Sequence, residues 1–220
     1  MQSHAALLKR YSGQGAFTRL YLMVRVRLMD FEAIDRAVGK GRRILDLACG
    51  FGLVGNYLAR KDSSRTVLGL DLDESRIGVA NAAADSGAQF RVGDITHDLP
   101  RGYDTITLFD TLHYFDSRTQ SEILAACFDV LPPGGRLVLR DQINDRTWRA
   151  AWGFVHEWLM TRLKITLTRD SVPRLNFVDN AQLDTMLRSV GFSEIEARLS
   201  TGWSPYIDTL FICERSADVA

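Results

Sequence analysis

From Arg43 onward, short apolar and β-branched runs alternate with stretches of helical periodicity. In chain order, the strand-like runs are RILDL, TVLGL, AQFRV, DTITLF and RLVLR. Such alternation is typical of right-handed crossovers, which place parallel strands side by side and lay helices over the sheet. The sequence therefore predicts an α/β fold with a mostly parallel sheet and helices on both of its faces.

The residues on either side of this core follow other patterns. Phe17–Val38 predicts a helical cap over the ligand edge of the sheet, and Asn144–Leu167 predicts a helical insert. Asn180–Ser189 predicts a helix that ends at Gly191, and the runs FSEIEARLS and YIDTLFICE then predict a terminal antiparallel pair. We expect a single domain, 1–220, with these parts: a helical cap 1–40, a core 41–141, a helical insert or substrate lid 142–180, and a C-terminal helix and strand pair 181–220.

Charge and cysteine content exclude several classes of protein. Positive and negative side chains balance at 27 each, so no net field favours nucleic acid. Cys49, Cys127 and Cys213 are odd in number and show no CxxC spacing, which suggests neither a disulfide framework nor a metal cluster. Since no signal peptide or membrane span is evident, we expect a cytoplasmic protein.

The first strand leads into a glycine loop, which reads DLACGFGLVG from Asp46 to Gly55. In an open parallel sheet this turn lies at the ligand-binding edge. Gly50 and Gly52 allow the backbone to bend sharply and to approach a bound adenosyl group. The letters GFGLVG also satisfy the dinucleotide pattern GxGxxG, so the glycines alone leave the cofactor open.

Asp46, at the start of this loop, separates the two cofactor classes. A pyrophosphate favours a helix N-terminus but is repelled by a neighbouring carboxylate. The ammonium and sulfonium groups of S-adenosylmethionine gain from a carboxylate. We therefore expect S-adenosylmethionine, with a nicotinamide-dependent oxidoreductase as the alternative.

Further acidic residues follow the next strands in order. Asp71 ends the second strand in VLGLDLD, and Asp94 follows the third strand in FRVGDIT. Together with LPPGGRLVLR, these motifs make residues 42–141 similar to the class I S-adenosylmethionine-dependent methyltransferases. The resemblance implies a Rossmann-like doubly wound sheet with a terminal antiparallel strand.

The resemblance also implies roles for individual residues in holding the cofactor. Asp46 and Asp110 would lie at the methionyl end, Asp71 at the ribose hydroxyls, and Asp94 at the adenine amino group. Leu72 would pack on the adenine and the Ile95 backbone would lie beside it. The backbone that lines the cofactor would comprise Ala48, Cys49, Gly50 and Gly52, with Ala48 at a position where family members often have glycine.

The stretch TLFDTLHYF after the fourth strand contains the candidate base. A hydroxyl acceptor reacts faster when a base removes its proton, and histidine suits this role at neutral pH. His113 lies on the loop that, in the family that the sequence resembles, faces both the methyl donor and the methyl acceptor. Asp141, in VLRDQ at the end of the fifth strand, is the second catalytic candidate, either as the partner of His113 or as an acceptor-binding acid. The alternative is that His113 only packs at the start of a helix.

Two further features bear on the acceptor. The loop after the fourth strand lacks an NPPY-type motif. Members of the class I family use that motif to hold a nitrogen acceptor, so its absence favours a small-molecule acceptor and O-methylation. The stretch WRAAWGFVHEWLMTRLKI places apolar residues at helical steps, which favours an apolar, aromatic or lipid-like acceptor. Basic residues beside that face suggest peripheral contact with an anionic membrane.

A non-catalytic protein that binds S-adenosylmethionine or its product S-adenosylhomocysteine is the other alternative function. The sequence leaves the oligomeric state open.

Overall fold

A single seven-stranded sheet organises the chain. The computed structural model describes residues 4–97, 99–142, 175–199 and 208–217. The strand order is β3-β2-β1-β4-β5-β7-β6, and β1 to β5 are mutually parallel. The strands are β1 (Arg43–Leu47), β2 (Thr66–Asp71), β3 (Ala88–Val92), β4 (Thr105–Phe109), β5 (Arg136–Gln142), β6 (Glu194–Leu199) and β7 (Asp208–Glu214).

Helices connect the strands and precede them. The α-helices are α1 (His4–Lys9), α2 (Ala16–Leu28), α3 (Phe31–Val38), α4 (Leu53–Lys61), α5 (Glu74–Ala82), α6 (Ser117–Val130) and α7 (Asn180–Ser189). A short 3₁₀ turn, Leu112–Tyr114, lies between β4 and α6. Of the helices in the described ranges, none is both long enough and apolar enough to span a bilayer.

Side-chain alternation along the strands builds two separate cores. In β1, Ile44 packs into a core with α1 to α5, whereas Leu45 and Leu47 pack into a second core with α6 and α7. Because successive strand residues point to opposite faces, Asp46 shares the face of Ile44, on the side covered by α4. The predicted doubly wound sheet with helices on both faces is confirmed.

The C-terminal strands form the predicted antiparallel pair, but their order in the sheet differs from their order in the chain. Strand β7 is antiparallel to both β5 and β6, and it lies between them. The helix Asn180–Ser189 has the predicted bounds, and an Asp179 capping box with Gln182 fixes its start. Residues 143–174, which include most of the predicted insert and its tryptophans, lie outside the described residues.

The N-terminal cap expected over Phe17–Val38 is divided into two helices. Helix α2 ends at Leu28, and Met29 is extended with φ −98° and ψ 130°. Asp30 then caps α3 by accepting a hydrogen bond from the Ala33 amide at 2.9 Å. The aspartate side chain satisfies a backbone donor that a continuous helix would bond internally, and this favours a new helix start.

Candidate functional site

The candidate site lies at the carboxyl edge of the sheet, between β1 and β4. From β1 the chain builds β2 and β3 on one side, and then crosses to build β4 and β5 on the other. Ligands of doubly wound sheets bind where the strand order reverses in this way. The glycine loop after β1 and the loop after β4 that contains His113 border this crevice.

The two glycines of the loop are required for different reasons. Both have left-handed backbone, with φ +54° at Gly50 and +70° at Gly52. A Cβ at Gly50 would meet no atom within 4 Å, so this residue faces open space. A Cβ at Gly52 would lie 2.7 Å from the Phe90 ring and 2.8 Å from Ala80, so Gly52 permits packing against the core. Whether the backbone of either glycine lines a cofactor stays a prediction.

Ala48 occupies a position where members of the class I family often have glycine. Its φ is +52°, a left-handed conformation that is strained for any residue with a β-carbon. The backbone here accommodates the sharp turn from β1 into the glycine loop, and the Cys49 amide then bonds the Leu70 carbonyl of β2 at 2.9 Å. The loop is thus held in a strained shape by its neighbours.

Asp46 is a buried carboxylate, 2% exposed, at the floor of the crevice. One of its oxygens accepts a hydrogen bond from Thr107 Oγ1 at 2.7 Å. The other has no hydrogen-bond partner among the described residues, although the Gly55 amide is near enough to favour its charged form. Burial, reinforced by the charge of Asp71, raises the pKa of Asp46 to about 7. A cation brought to this oxygen would relieve the burial of an uncompensated charge.

Cys49 is not a nucleophile in this arrangement. Burial, with the nearby charges of Asp46 and Asp71, raises the pKa of its thiol well above the ordinary value. A neutral thiol is a poor nucleophile, so Cys49 lines the loop as a small packed residue.

The predicted adenosine-binding residues lie along one side of the crevice. Asp71, at the end of β2, accepts hydrogen bonds from the Gly50 amide at 2.8 Å and the Asp73 amide at 2.9 Å. The Leu72 side chain next to it is 46% exposed, as expected for a surface that an adenine would cover. Asp94 is half-buried and accepts from the Thr96 amide and hydroxyl at 2.9 and 2.7 Å, while Ile95 is buried.

Tyr11 connects the N-terminal helices to the glycine loop. Its hydroxyl donates to the Phe51 carbonyl at 3.0 Å and accepts from Asn56 Nδ2 at 3.0 Å. Asn56 in turn accepts from the Asp85 amide at 2.9 Å. Because all of these groups are buried or half-buried, they fix the loop against α4 and the end of α5.

Asp110 directly follows β4 and has left-handed backbone, with φ +53°. Its carboxylate accepts hydrogen bonds from Arg140 of β5, with Nε at 3.0 Å, and from Arg25 of α2 at 2.6 Å. We expected this side chain at the methionyl end of a cofactor. Two arginines engage it in the structure, and its contact with a cofactor stays a prediction.

His113 and Asp141, which were separate candidates in the sequence, form a buried pair. The Nδ1 atom of His113 lies 2.5 Å from one Asp141 oxygen, and the His113 amide donates to the other at 3.1 Å. Their side chains are 1% and 4% exposed. A carboxylate at Nδ1 selects the tautomer in which that nitrogen carries the proton, so Nε2 keeps the lone pair. This is the arrangement of a base with an orienting acid.

The loop that bears His113 is anchored from two sides. Gln120 Nε2 donates to the carbonyls of Leu112 at 3.0 Å and Asn176 at 2.9 Å. The Asn176 amide donates to the His113 carbonyl at 2.8 Å, and the Phe177 ring stacks on the imidazole with centroids 4.8 Å apart. The imidazole therefore has a fixed position in an apolar setting.

Sequence reasoning missed several residues that position the site. Thr107 and Gln120 were not identified, although polar side chains in an apolar strand and on the buried face of a helix are signals that could have found them. Asn56 and Arg140 were also missed, because their partners are distant in the chain. His97, which follows β3, has a 65% exposed side chain.

Comparison with known proteins identifies the family. Residues 44–135 match a family model described as a methyltransferase domain. Residues 44–135 therefore have the methyltransferase domain that the resemblance implied. The predicted family and cofactor are thereby confirmed.

Several curated relatives of the chain share one name. The chain is similar to the ubiquinone biosynthesis O-methyltransferase of Xanthomonas euvesicatoria, with 29% identity over 171 residues that cover 74% of this chain and 68% of the relative. It is 30% identical over 111 residues to the protein of the same name from Pseudomonas savastanoi, covering 47% of this chain and 46% of the relative. The chain thus spans about half the length of the first relatives.

Solved structures share the fold of this chain. The S-adenosylmethionine-dependent methyltransferase SibL, in its apo form, has a TM-score of 0.71 at 21% identity, covering 95% of this chain and 62% of SibL. Magnesium protoporphyrin IX methyltransferase from Synechocystis, solved with bound S-adenosylhomocysteine, has a TM-score of 0.68 at 19% identity, covering 98% of this chain and 95% of that protein.

Proposed function

We propose that this chain transfers a methyl group from S-adenosylmethionine to a hydroxyl oxygen of a small apolar or aromatic acceptor. The observation that carries the proposal is the buried carboxylate of Asp46 beside a glycine loop whose Gly50 faces open space. A pyrophosphate in that loop would meet an anion, whereas an ammonium group would compensate it. The site therefore fits a cationic amino-acid cofactor better than a dinucleotide.

The remaining residues of the crevice fit the rest of that cofactor. Asp71 offers carboxylate lone pairs for ribose hydroxyls, and Leu72 exposes an apolar side chain for an adenine ring. Asp94 offers an acceptor for an exocyclic amine. Bound S-adenosylmethionine supplies an electrophilic methyl group on a sulfonium.

The acceptor chemistry rests on the His113–Asp141 pair. Asp141 holds the imidazole in one tautomer and stabilises the positive charge that develops when His113 takes a proton from a hydroxyl. Burial of both side chains keeps water from competing for that proton. The curated relatives are named O-methyltransferases, which supports an oxygen acceptor for this chain as well.

An apolar acceptor is supported by two aromatic side chains beside the imidazole. Phe177 and Tyr114 both contact the His113 ring, with centroid distances of 4.8 and 4.2 Å. The lipid-like acceptor and the membrane contact suggested by residues 144–169 concern a region outside the described residues, and they stay predictions.

Titration calorimetry with S-adenosylhomocysteine and NADH tests the cofactor half of the proposal. We expect S-adenosylhomocysteine, the product of methyl transfer, to bind and NADH not to bind. Asp71→Asn should weaken the product's binding about tenfold, because a neutral amide accepts weaker hydrogen bonds from ribose hydroxyls than a carboxylate does. Asp73→Asn, at the neighbouring cap of α5, is the matched control. Binding of NADH in place of the product would contradict the proposal.

Transfer of a labelled methyl group to a panel of phenols, catechols and hydroxyquinones tests the acceptor half. Transfer to oxygen is expected. Tight product binding with no transfer across the panel would favour a non-catalytic binding protein instead.

A further inference from the structure

Gln120 is a buried polar side chain on the inner face of α6. It is 1% exposed and shares that face with Ile123, Leu124 and Cys127, which belong to the apolar core. Burying a polar group without a partner costs free energy, so an amide at this position has to be paired. The partners of Gln120 therefore show what an apolar side chain at the same position would not provide.

The Gln120 amide nitrogen holds the loop that bears His113. Nε2 donates to three backbone carbonyls, those of Leu112 at 3.0 Å, Phe115 at 3.1 Å and Asn176 at 2.9 Å. The Leu112 carbonyl belongs to the peptide bond that leads into His113, and Phe115 lies two residues beyond it. One side chain thus fixes the backbone on both sides of the histidine.

Asn176 connects the same amide to the aromatic ring beside the imidazole. The Asn176 backbone amide donates to the His113 carbonyl at 2.8 Å, and its Nδ2 donates to Ser117 Oγ at 3.0 Å. The next residue, Phe177, stacks on the imidazole with the two rings 16° from parallel. Through the Asn176 carbonyl, Gln120 therefore holds the histidine loop and the chain that carries Phe177 together.

The oxygen of the Gln120 amide shows that stability alone does not explain this residue. Oε1 is buried and has no hydrogen-bond partner among the described residues. An unpaired buried acceptor costs about 1–3 kcal/mol, which offsets part of what the three donated bonds contribute. Unfavourable groups of this kind are retained where function needs the geometry that they provide.

We propose that Gln120 is a positioning residue for methyl transfer, because it keeps the His113 imidazole where it can take a proton from the acceptor. Gln120 acts through His113 and touches neither the cofactor nor the acceptor. This assignment rests on the proposed function, since the position of His113 sets the rate only if His113 is the base. A catalytic group that moves by about 1 Å can lose about 100-fold in rate.

A double-mutant cycle with His113 tests the assignment. Gln120→Met has a side chain of similar size but no donor for the loop carbonyls, so it should lower kcat in single-turnover methyl transfer about 10- to 100-fold. In a His113→Gln background the same change should lower kcat less than about twofold, because no base is left to misplace. Calorimetry should find that the affinity for S-adenosylhomocysteine changes less than about twofold in both backgrounds.

Two further variants sharpen the measurement. Gln120→Glu keeps the shape of the side chain but loses both N–H donors, so it should show the same pattern of kcat values and serves where Gln120→Met folds poorly. Gln182→Met removes the same amide from the exposed first turn of α7, where it belongs to a capping box. That control should lower the free energy of unfolding in urea and leave kcat unchanged in both backgrounds.

The outcomes separate this assignment from the proposed function. Equal losses of kcat with and without His113, or loss of S-adenosylhomocysteine binding in both Gln120 variants, would show that Gln120 only stabilises the fold. An unchanged kcat in both Gln120 variants would show that it has no role in the rate. Each of these results overturns the assignment and leaves the proposed function in place.

Failure of the proposed function has a different signature in the same experiments. If His113→Gln by itself leaves kcat unchanged, His113 is not the base, and the assignment of Gln120 falls with it. If the wild-type protein binds S-adenosylhomocysteine but transfers no methyl group to any acceptor of the panel, the proposed function itself is wrong.

Discussion

The two edges of the parallel sheet differ in their backbone strain and in the pairing of their charged side chains. On the amino side, the described residues with left-handed backbone are all glycines, and each precedes a strand: Gly39, Gly102, Gly134 and Gly191. On the carboxyl side, Ala48 and Asp110 take that conformation with a β-carbon present. The strained residues thus lie beside the cofactor crevice, where strain is retained for function.

Polar groups show the same contrast. At the amino edge, Asp104 accepts hydrogen bonds from the amides of Arg42 and Arg43 at 3.0 to 3.1 Å. Arg65 binds Asp35 at 2.6 Å and the Gly39 carbonyl at 2.9 Å. At the carboxyl edge, Asp46 keeps a buried oxygen without a partner among the described residues. Arg65 Nε is also buried without a hydrogen-bond partner among the described residues, but the guanidinium is neutralised by Asp35. The unpaired oxygen of Asp46 differs in that it borders the crevice, where a ligand can satisfy it.

The largest expected effect belongs to the carboxyl edge. His113→Gln should lower kcat by about 10²- to 10⁴-fold, because the proposed base is removed. The affinity for S-adenosylhomocysteine should change little, and the exposed His97→Gln is the control. Single-turnover methyl transfer measures the effect. An unchanged kcat together with reduced stability would show that His113 only packs in the loop.

Asp46→Asn should make the empty protein more stable at pH 8 while it weakens cofactor binding about tenfold or more. An acid whose pKa is raised by folding binds more protons in the folded state, so its contribution to stability falls as pH rises between about 4 and 7. A shift from 3.8 to about 7 corresponds to at most about 4 kcal/mol.

Urea unfolding at pH 4 and pH 8 checks this prediction. The stabilisation should appear at pH 8 and be absent at pH 4, where Asp46 is largely protonated in the folded state. A gain of the same size at both pH values would mean that ionisation of Asp46 is not its cause.

Arg65→Met should have the opposite signature at the amino edge. It leaves the half-buried Asp35 without its partner, which should lower the free energy of unfolding by about 2–3 kcal/mol. Cofactor affinity should stay the same. Arg36→Met, at an exposed position of α3, is the control, and urea unfolding with calorimetry measures both quantities. A loss of affinity would show that the two edges are coupled.

The smallest effects are expected from two single substitutions at residues with positive φ, one at each edge of the sheet. Ala48→Gly should stabilise the protein by about 0.5–1 kcal/mol, because relief of the left-handed strain exceeds the added entropy of the unfolded chain. Gly39→Ala should destabilise it by about 1 kcal/mol or more, since φ there is +63°. Thermal unfolding resolves both changes. A destabilising Ala48→Gly would show that the loop is unstrained.

The sequence predicted the elements of the fold better than their arrangement. The runs from RILDL to RLVLR became β1 to β5 because buried parallel strands are almost continuously apolar. The pairing of β6 and β7 was predicted, but their order was not, since an antiparallel pair can join a sheet by either strand. The break at Met29 was missed because both helices carry good helix formers, and only Asp30 indicates it.

The candidate site shows the same division. Asp46, Asp71 and Asp94 were proposed as site residues from their places at or just after strand ends. The Thr107 bond to Asp46 joins residues 61 positions apart, and the Arg25 bond to Asp110 joins residues 85 apart. Local periodicity carries no information about such contacts. The structure therefore adds the partners that set the charge and tautomer of the predicted residues.

The place of β7 between β5 and β6 also bears on biosynthesis. During translation β5 emerges well before residues 208–214, which form its outer neighbour in the sheet. Strand β6 leaves the ribosome earlier but, among the described strands, pairs with β7 alone. A nascent chain therefore exposes a bare, apolar strand for an extended interval, when chaperones or pairing between chains on one polysome would compete with closure of the sheet.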